Sequence, residues 1–292
     1  MTRKNYSTNA SAAQQKTKEL TKKLEQAITA LKQTDDYKQF LNLMAHLPHY
    51  SFRNLALIAY QKPKATMVMG YRSWQKYHRY VMAGERAITI FAPRKVKIRT
   101  DDTNSSSDDA DDNQNTDSEF VYFRPVSVFD ISQTDGADMP NLDGSTESFR
   151  GDFPNYRKTV EKIIKLNPEV DVKLVARSSD ANGCFDRSAN VIKVCDDMSQ
   201  TETIRTLIHE ETHARLHSHG SEEDGARRDV KEAEAEGVSY VVCKAIGINT
   251  DDYAVPYITG WMHEADDTAM QEAMGFIQKT ANEFINKLQV EN

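Results

Sequence analysis

The stretch TLIHEETHARLHSHG, residues 206–220, constrains this chain more than any other. His209 and His213 stand four residues apart with Glu210 beside the first. On a helix that spacing puts both imidazoles on one face, one turn apart. Two imidazoles do not complete a metal site, so a third ligand must arrive from another element packed across this helix. Neutral imidazoles suit Zn²⁺, which also takes carboxylate oxygen and keeps one position open when catalytic. Zinc lowers the pKa of water to about 7, and Glu210 is placed to take the proton released. One histidine or glutamate alone would be an ordinary solvated helix residue. The ordered trio, behind the apolar anchor IRTLI, points to one Zn²⁺ per chain.

Two sources offer the third ligand. His219 follows His209 by ten residues, but that arrangement needs a sharp turn where this chain has Leu216. Leucine favours continued helix, which carries His219 away. The second source is KEAEAEGVSYVV, where Glu232 and Glu236 lie one turn apart on one face and Glu234 points elsewhere. One can bind the ion while the other orients a histidine from behind. Glu232 is taken as ligand and Glu236 as the orienting residue, with the reverse left open. His217, a further turn along, is placed to line the cleft or, as the plainer expectation, lies at the surface. The strand-like NVIKV precedes the helix where zinc peptidases keep an edge strand, to which an extended peptide substrate can add.

At 292 residues the chain has room for about two domains. SAAQQKTKELTKKLEQAITALKQ carries Leu20, Leu24, Ile28 and Leu31 at helical spacing. A second helix is expected in DDYKQFLNLMAHL, ending near Pro48. KATMVMGY and RAITIFAPRKVKI are expected strands, with SWQKYHRYV a short helix between them. Residues 101–119 hold seven Asp, one Glu and no cation, and so cannot bury apolar surface. They are expected to be a disordered insertion. FVYFRPVSVFDI returns to strand, and the polar segment 132–148 is the expected boundary. Beyond it come a helix near FPNYRKTVEKIIKLN, a strand VDVKLVA, a hairpin in NGCFDRSANVIKVC and the HExxH helix, capped by Ser199, Thr201 or Thr203. ARRDVKEAEAEGVSYVVCKAI and residues 266–289 are the last helices expected. The fold class is α+β, a small α/β unit (1–135) followed by a metal-binding unit with a mixed sheet (149–292).

The opening MTRKNYSTNAS lacks the apolar segment of a secretory signal, and no stretch approaches the roughly 18 apolar residues of a membrane span. A cytoplasmic location is expected, with Cys184, Cys195 and Cys243 reduced. The net charge is -7, yet residues 53–99 hold eleven Lys or Arg against one acid, Glu85. Tyrosines, Trp74 and Phe91 are interleaved with them. Cations that track phosphates beside aromatic faces that stack on unpaired bases suit a single DNA strand. Arg53, Arg72, Trp74, Lys76, Arg79, Arg86, Arg94 and Lys95 are the candidate contacts. A solvated basic face over a core containing Trp74 is the plainer alternative.

YSFRNLALIAY, GYRSWQKYHRYVMAGERAITIFAP and RPVSVFDISQT resemble the N-terminal domain of ArdC-type antirestriction proteins. TLIHEETH followed by KEAEAEGVSYVVCKAIGI resembles their C-terminal zincin domain, and the whole is similar to LtrC-type proteins of mobile elements. The resemblance implies a single-stranded DNA-binding domain joined to a zincin-like metallopeptidase domain. It implies an origin on a plasmid or transposon, and protection of incoming DNA from restriction during conjugation. The family's E-x-x-A-E falls on Glu232, Ala235 and Glu236, which implies a glutamate third ligand. ARLHSHG after His213 departs from the family's usual Trp-Thr-Gly, and the acidic insertion is foreign to its core pattern.

Overall fold

The computed structural model describes residues 4–33, 37–98, 118–139, 149–250, 258, 260–261 and 264–289. Three helices open the chain: α1 (Lys4–Gln33), α2 (Tyr37–His46) and α3 (Phe52–Gln61). Leu20, Ile28 and Leu31 of α1 are buried, as their spacing requires. The sequence pattern did not announce α3. Leu55, Ala56, Leu57 and Ile58 are buried, while Arg53 and Tyr60 are exposed.

Strand β1 (Val68–Gly70) leads into α4 (Tyr71–Lys76) and β2 (Arg79–Val81). The expected single helix SWQKYHRYV is therefore two elements. His78 adopts a left-handed backbone (φ 56°) that ends the helix and turns the chain into the strand. Strands β3 (Ile88–Ile98) and β4 (Ser118–Asp130) form one long antiparallel hairpin, paired from Ile88 opposite Val128 to Ile98 opposite Ser118. Strand β1 flanks the other side of β4. The acidic run begins where this ladder stops, and residues 99–117 lie outside the described residues.

The first part of the expected boundary belongs to the N-terminal half. A 3-10 turn (Ile131–Gln133) and β5 (Thr134–Gly136) follow β4, and β5 pairs with β2. Buried Asp130 accepts from the backbone of Thr66, Met67 and Ser132. Residues 140–148 of that boundary lie outside the described residues.

The C-terminal half holds α5 (Tyr156–Ile164), β6 (Asp171–Val175), β7 (Gly183–Asp186), β8 (Val191–Cys195), α6 (Gln200–Leu216), α7 (Arg228–Ala245) and α8 (Asp267–Gln289). The sheet order is β6-β8-β7, with β8 parallel to β6 and antiparallel to β7. NVIKV is thus the central strand, and the strand beside the HExxH helix at the sheet edge is β7. Every residue of β8 but half-buried Lys193 is buried, as a strand covered on both faces requires. The sheet is mixed, as expected.

One hydrophobic core runs through both halves. Helix α2 packs on α7 and α3 on α8. Tyr240 of α7 donates to the side chain of Asn42 at 3.0 Å. Among the described residues no helix is long and apolar enough to cross a membrane.

Candidate metal centre

Helix α6 carries the site because its ends and flanks are fixed. Ser199 is the N-cap, and it forms a capping box with Glu202. Ile204, Leu207 and Ile208 are buried, which turns the opposite stripe of the helix toward a cleft. His209 and His213 lie on that stripe. Their Nε2 atoms are 3.1 Å apart. Helix α7 crosses α6 and brings Glu232 Oε2 to 3.6 Å from His209 Nε2 and 3.7 Å from His213 Nε2. Leu216 is the last helical residue, and exposed His219 lies outside this group, beside Arg187 and Asp224.

The fit to a cation can be tested on these distances. Tetrahedral ligands bonded at about 2.0–2.2 Å stand roughly 3.3–3.6 Å from one another. The three donor atoms form a triangle of 3.1, 3.6 and 3.7 Å, so the side chains present fit one divalent ion. Two imidazoles and a carboxylate are a donor set that zinc accepts.

The electrostatics agree with this convergence. The imidazoles of His209 and His213 beside it hold the Glu232 carboxyl far below the usual carboxylate range. Burial works to lower His209, but Glu232, Glu236 and Glu210 outweigh it and the imidazole is raised. Glu236 approaches the far side of His209, with Oε1 3.6 Å from Nδ1, and its other oxygen accepts from Arg205 at 3.3 Å. Glu210 is buried beside the triangle. Burial raises its pKa, His209 and His213 oppose that, Glu232 adds to it, and a hydrogen bond with the Phe185 backbone opposes it.

The cleft has a volume of about 560 Å³ and is lined by Gly183, Cys184 and Phe185 of β7, the two histidines, Glu210, Glu232, and the cations Arg187, Arg228 and Lys231. Gly183 lies so close to α6 that an added Cβ would meet Thr206 Cγ2 at 2.7 Å and Glu210 Cγ at 3.3 Å. Only glycine lets β7 run this near the helix.

Two residues that the sequence placed elsewhere are part of the surroundings. His217 is buried, not at the surface, and its Nδ1 lies 2.9 Å from His213 Nδ1. Its Nε2 lies 2.8 Å from Glu234 Oε2, so Glu234 is turned inward to a partner. The i, i+4, i+8 spacing of the three histidines was the available signal.

The candidate DNA contacts divide. Trp74 is fully buried and its indole N–H donates to Phe129 O, so it is core and offers no face to a base. Arg79 spends its guanidinium on Thr134 and Ala137, joining β2 to β5. Arg53, Arg72, Lys76, Arg86, Arg94 and Lys95 are exposed. So are Tyr60, Tyr71, Tyr77 and Tyr80. The sequence reading passed over the distal part of β4, where Phe120 and Phe123 are 59% and 60% exposed. Phe120, Tyr122 and Arg124 share one face of the ribbon, and Arg94 pairs with Tyr122 across it. The run FVYFR, aromatic at both parities with a cation attached, carried that signal.

Residues 10–129 match the family model described as the N-terminal domain of the anti-restriction factor ArdC. Residues 10–129 form an ArdC-type N-terminal domain. That match spans α1 to β4 and contains the exposed basic and aromatic residues. The likeness of fold to ArdC continues into the half that bears α6 and α7. The crystal structure of the antirestriction ArdC protein from the R388 plasmid, metal-free, is similar with a TM-score of 0.52 and 17% identity, over 82% of this chain and 85% of that one. Its Mn(II)-bound structure is similar with a TM-score of 0.51 and 16% identity, over 83% and 86%. An uncharacterized Bacillus anthracis protein, pXO2-81, is 26% identical over 285 residues, covering 87% of this chain and 48% of its own length. This chain therefore spans about half the length of that relative.

Proposed function

We propose that this chain is an antirestriction-type protein of a mobile element, cytoplasmic, with a zinc-dependent peptidase site in residues 149–292 and a single-stranded DNA surface in residues 1–135. One observation carries the enzymatic part: two imidazole nitrogens and a carboxylate oxygen converge at ligand spacing, with a buried glutamate beside them. His209, His213 and Glu232 hold the cation. When bound, zinc supplies Lewis acidity and acidifies nearby water. Glu210 accepts a proton at its carboxylate, and its raised pKa suits a base working near neutrality. Glu236 braces His209 from the Nδ1 side. The free edge of β7 offers main-chain hydrogen bonds that hold an extended peptide across the cleft. The similar ArdC structure with Mn(II) supports a divalent cation in this fold. The donor chemistry favours zinc.

Metal analysis joined to a peptide-library digest tests the reading. Wild type binds one zinc per chain and cleaves. Glu210→Gln keeps the zinc and loses cleavage by at least about 100-fold. Cleavage by the variant at the wild-type rate excludes Glu210 as base.

The second reading is a DNA-coating protein whose metal centre is structural or recognises a partner. The exposed phenylalanines of β4 beside Arg94 and Arg124 favour it, because stacking faces between cations suit unpaired bases. In this reading antirestriction survives Glu210→Gln. Reversing the charge of Arg72, Lys76 and Arg86 lowers single-stranded DNA affinity and flattens its salt dependence. An unchanged salt slope removes that face from the DNA surface.

A further inference from the structure

Three histidines stand in line on α6 and its C-cap, and the third has no role in holding a cation. His217 is nonetheless buried, and both of its ring nitrogens have partners: His213 Nδ1 at 2.9 Å and Glu234 Oε2 at 2.8 Å. Glu234 is buried as well, and it comes from α7, the helix that also brings Glu232. Two helices thus meet twice, at Glu232 and at Glu234.

Two proton arrangements fit these contacts, and only one lets His213 offer a lone pair in the cleft. Two Nδ1 atoms 2.9 Å apart share a single hydrogen. If His217 donated it, His213 would carry its own proton on Nε2, the atom that faces His209 Nε2 and Glu232. That tautomer has no lone pair to offer in the cleft. If His213 donates from Nδ1, its Nε2 lone pair is free there. His217 then accepts at Nδ1 and carries its proton on Nε2, which donates to Glu234. Glu234 Oε2, 2.8 Å away, is the matching acceptor.

We infer that His217 and Glu234 form a relay, Nδ1–H of His213 to His217 and Nε2–H of His217 to Glu234, that fixes His213 in its metal-binding tautomer. Both are positioning residues. The inference rests on the metal-centre reading and adds a cause for its affinity. A histidine ligand held through its second nitrogen is oriented and made more basic, and losing such a partner weakens metal binding 10–100-fold. His209 Nδ1 instead faces Glu236 Oε1 at 3.6 Å, beyond hydrogen-bond reach, so the two ligands have separate neighbours.

The test uses the full chain and two substitutions of similar size class. His217→Asn retains an acceptor for the His213 Nδ1–H, whereas His217→Phe keeps bulk and removes the acceptor. Nitrogen-15 imidazole spectra of the metal-free protein report the His213 tautomer. Competition with a chelator reports Zn²⁺ and Mn²⁺ affinity. His217→Phe is expected to bind both cations about 10–100-fold more weakly and to lose the Nδ1-protonated signature. His217→Asn stays within about 3-fold of wild type and keeps that signature, by the same reasoning. If the Phe variant does not fold, Glu234→Gln and Glu234→Met repeat the comparison one step out, since only Gln can still accept from His217. Wild type that binds neither cation overturns the metal-centre reading and the relay with it. Wild type that binds, with His217→Phe equal to it in affinity and tautomer, overturns the relay alone.

Discussion

Glu210 and Glu211 are consecutive on α6, and the helix sends them to opposite sides. Glu210 lines the cleft, while Glu211 is fully buried against Asn167, whose amide donates to its Oε2 at 2.5 Å. Burial pushes the Glu211 carboxyl up to about 8. The native state keeps this proton, whereas the unfolded chain releases it above its ordinary value of 4.5. The favourable contribution is therefore complete below about pH 4.5 and declines as pH climbs toward 8. Calorimetry of the metal-free protein should show its Tm falling between pH 6 and about 8, and Glu211→Gln should flatten that slope. An identical slope in the variant would assign the loss to other groups. At this scale the sequence was informative about chemistry and poor about environment. The spacing of His209, Glu210 and His213 marked them out. Nothing local distinguished Trp74 as core from a tryptophan on a surface, because charge pattern does not report which face of a six-residue helix is covered. His217 looked superficial for the same reason, since its burial depends on α7 folding back over it.

Helices α7 and α8 touch where α7 lacks a side chain. A Cβ on Gly237 would meet Ile277 Cδ1 at 2.6 Å and Cγ1 at 3.0 Å. Glycine in a helix interior costs about 1 kcal/mol relative to alanine, so its presence here reflects the close crossing. Gly237→Ala is expected to destabilise by about 1–3 kcal/mol despite the better propensity, because overpacking outweighs it. Ile277→Val removes the nearest atom, and the double variant should recover part of the loss in a denaturant titration. Additive losses would show that the contact is not the cause. The HExxH helix with its Ser199 cap was legible in order and extent, and α1 in all but its first turns, which begin at Lys4. Helix α3 was not. Strand β8 was expected at the edge because edge or centre is decided by pairing partners, which the residues of one strand do not encode.

Across the whole molecule, two functional halves share one core. Tyr37, Phe40, Leu41 and Met44 of α2 are buried, and the helix they belong to packs on α7. Residues 1–135 expressed alone would expose that face to water. Such a fragment is expected to self-associate, measured by sedimentation, while the full chain melts in a single transition. A monodisperse, cooperatively folded fragment would show that α2 finds cover elsewhere. Sequence composition located two regions of different chemistry but not their joint burial, which arises between residues about two hundred positions apart, such as Asn42 and Tyr240.

The β3–β4 ladder closes at Ile98 and Ser118, outside the packed body and ahead of the acidic run. Strand alignment is dictated by the eleven matched pairs below that point, so the joining segment has no vote in it. Evolution could lengthen, shorten or recharge this stretch without retuning anything beneath. For the experimenter it is a natural splice point, where an inserted reporter meets no constraint from strand alignment.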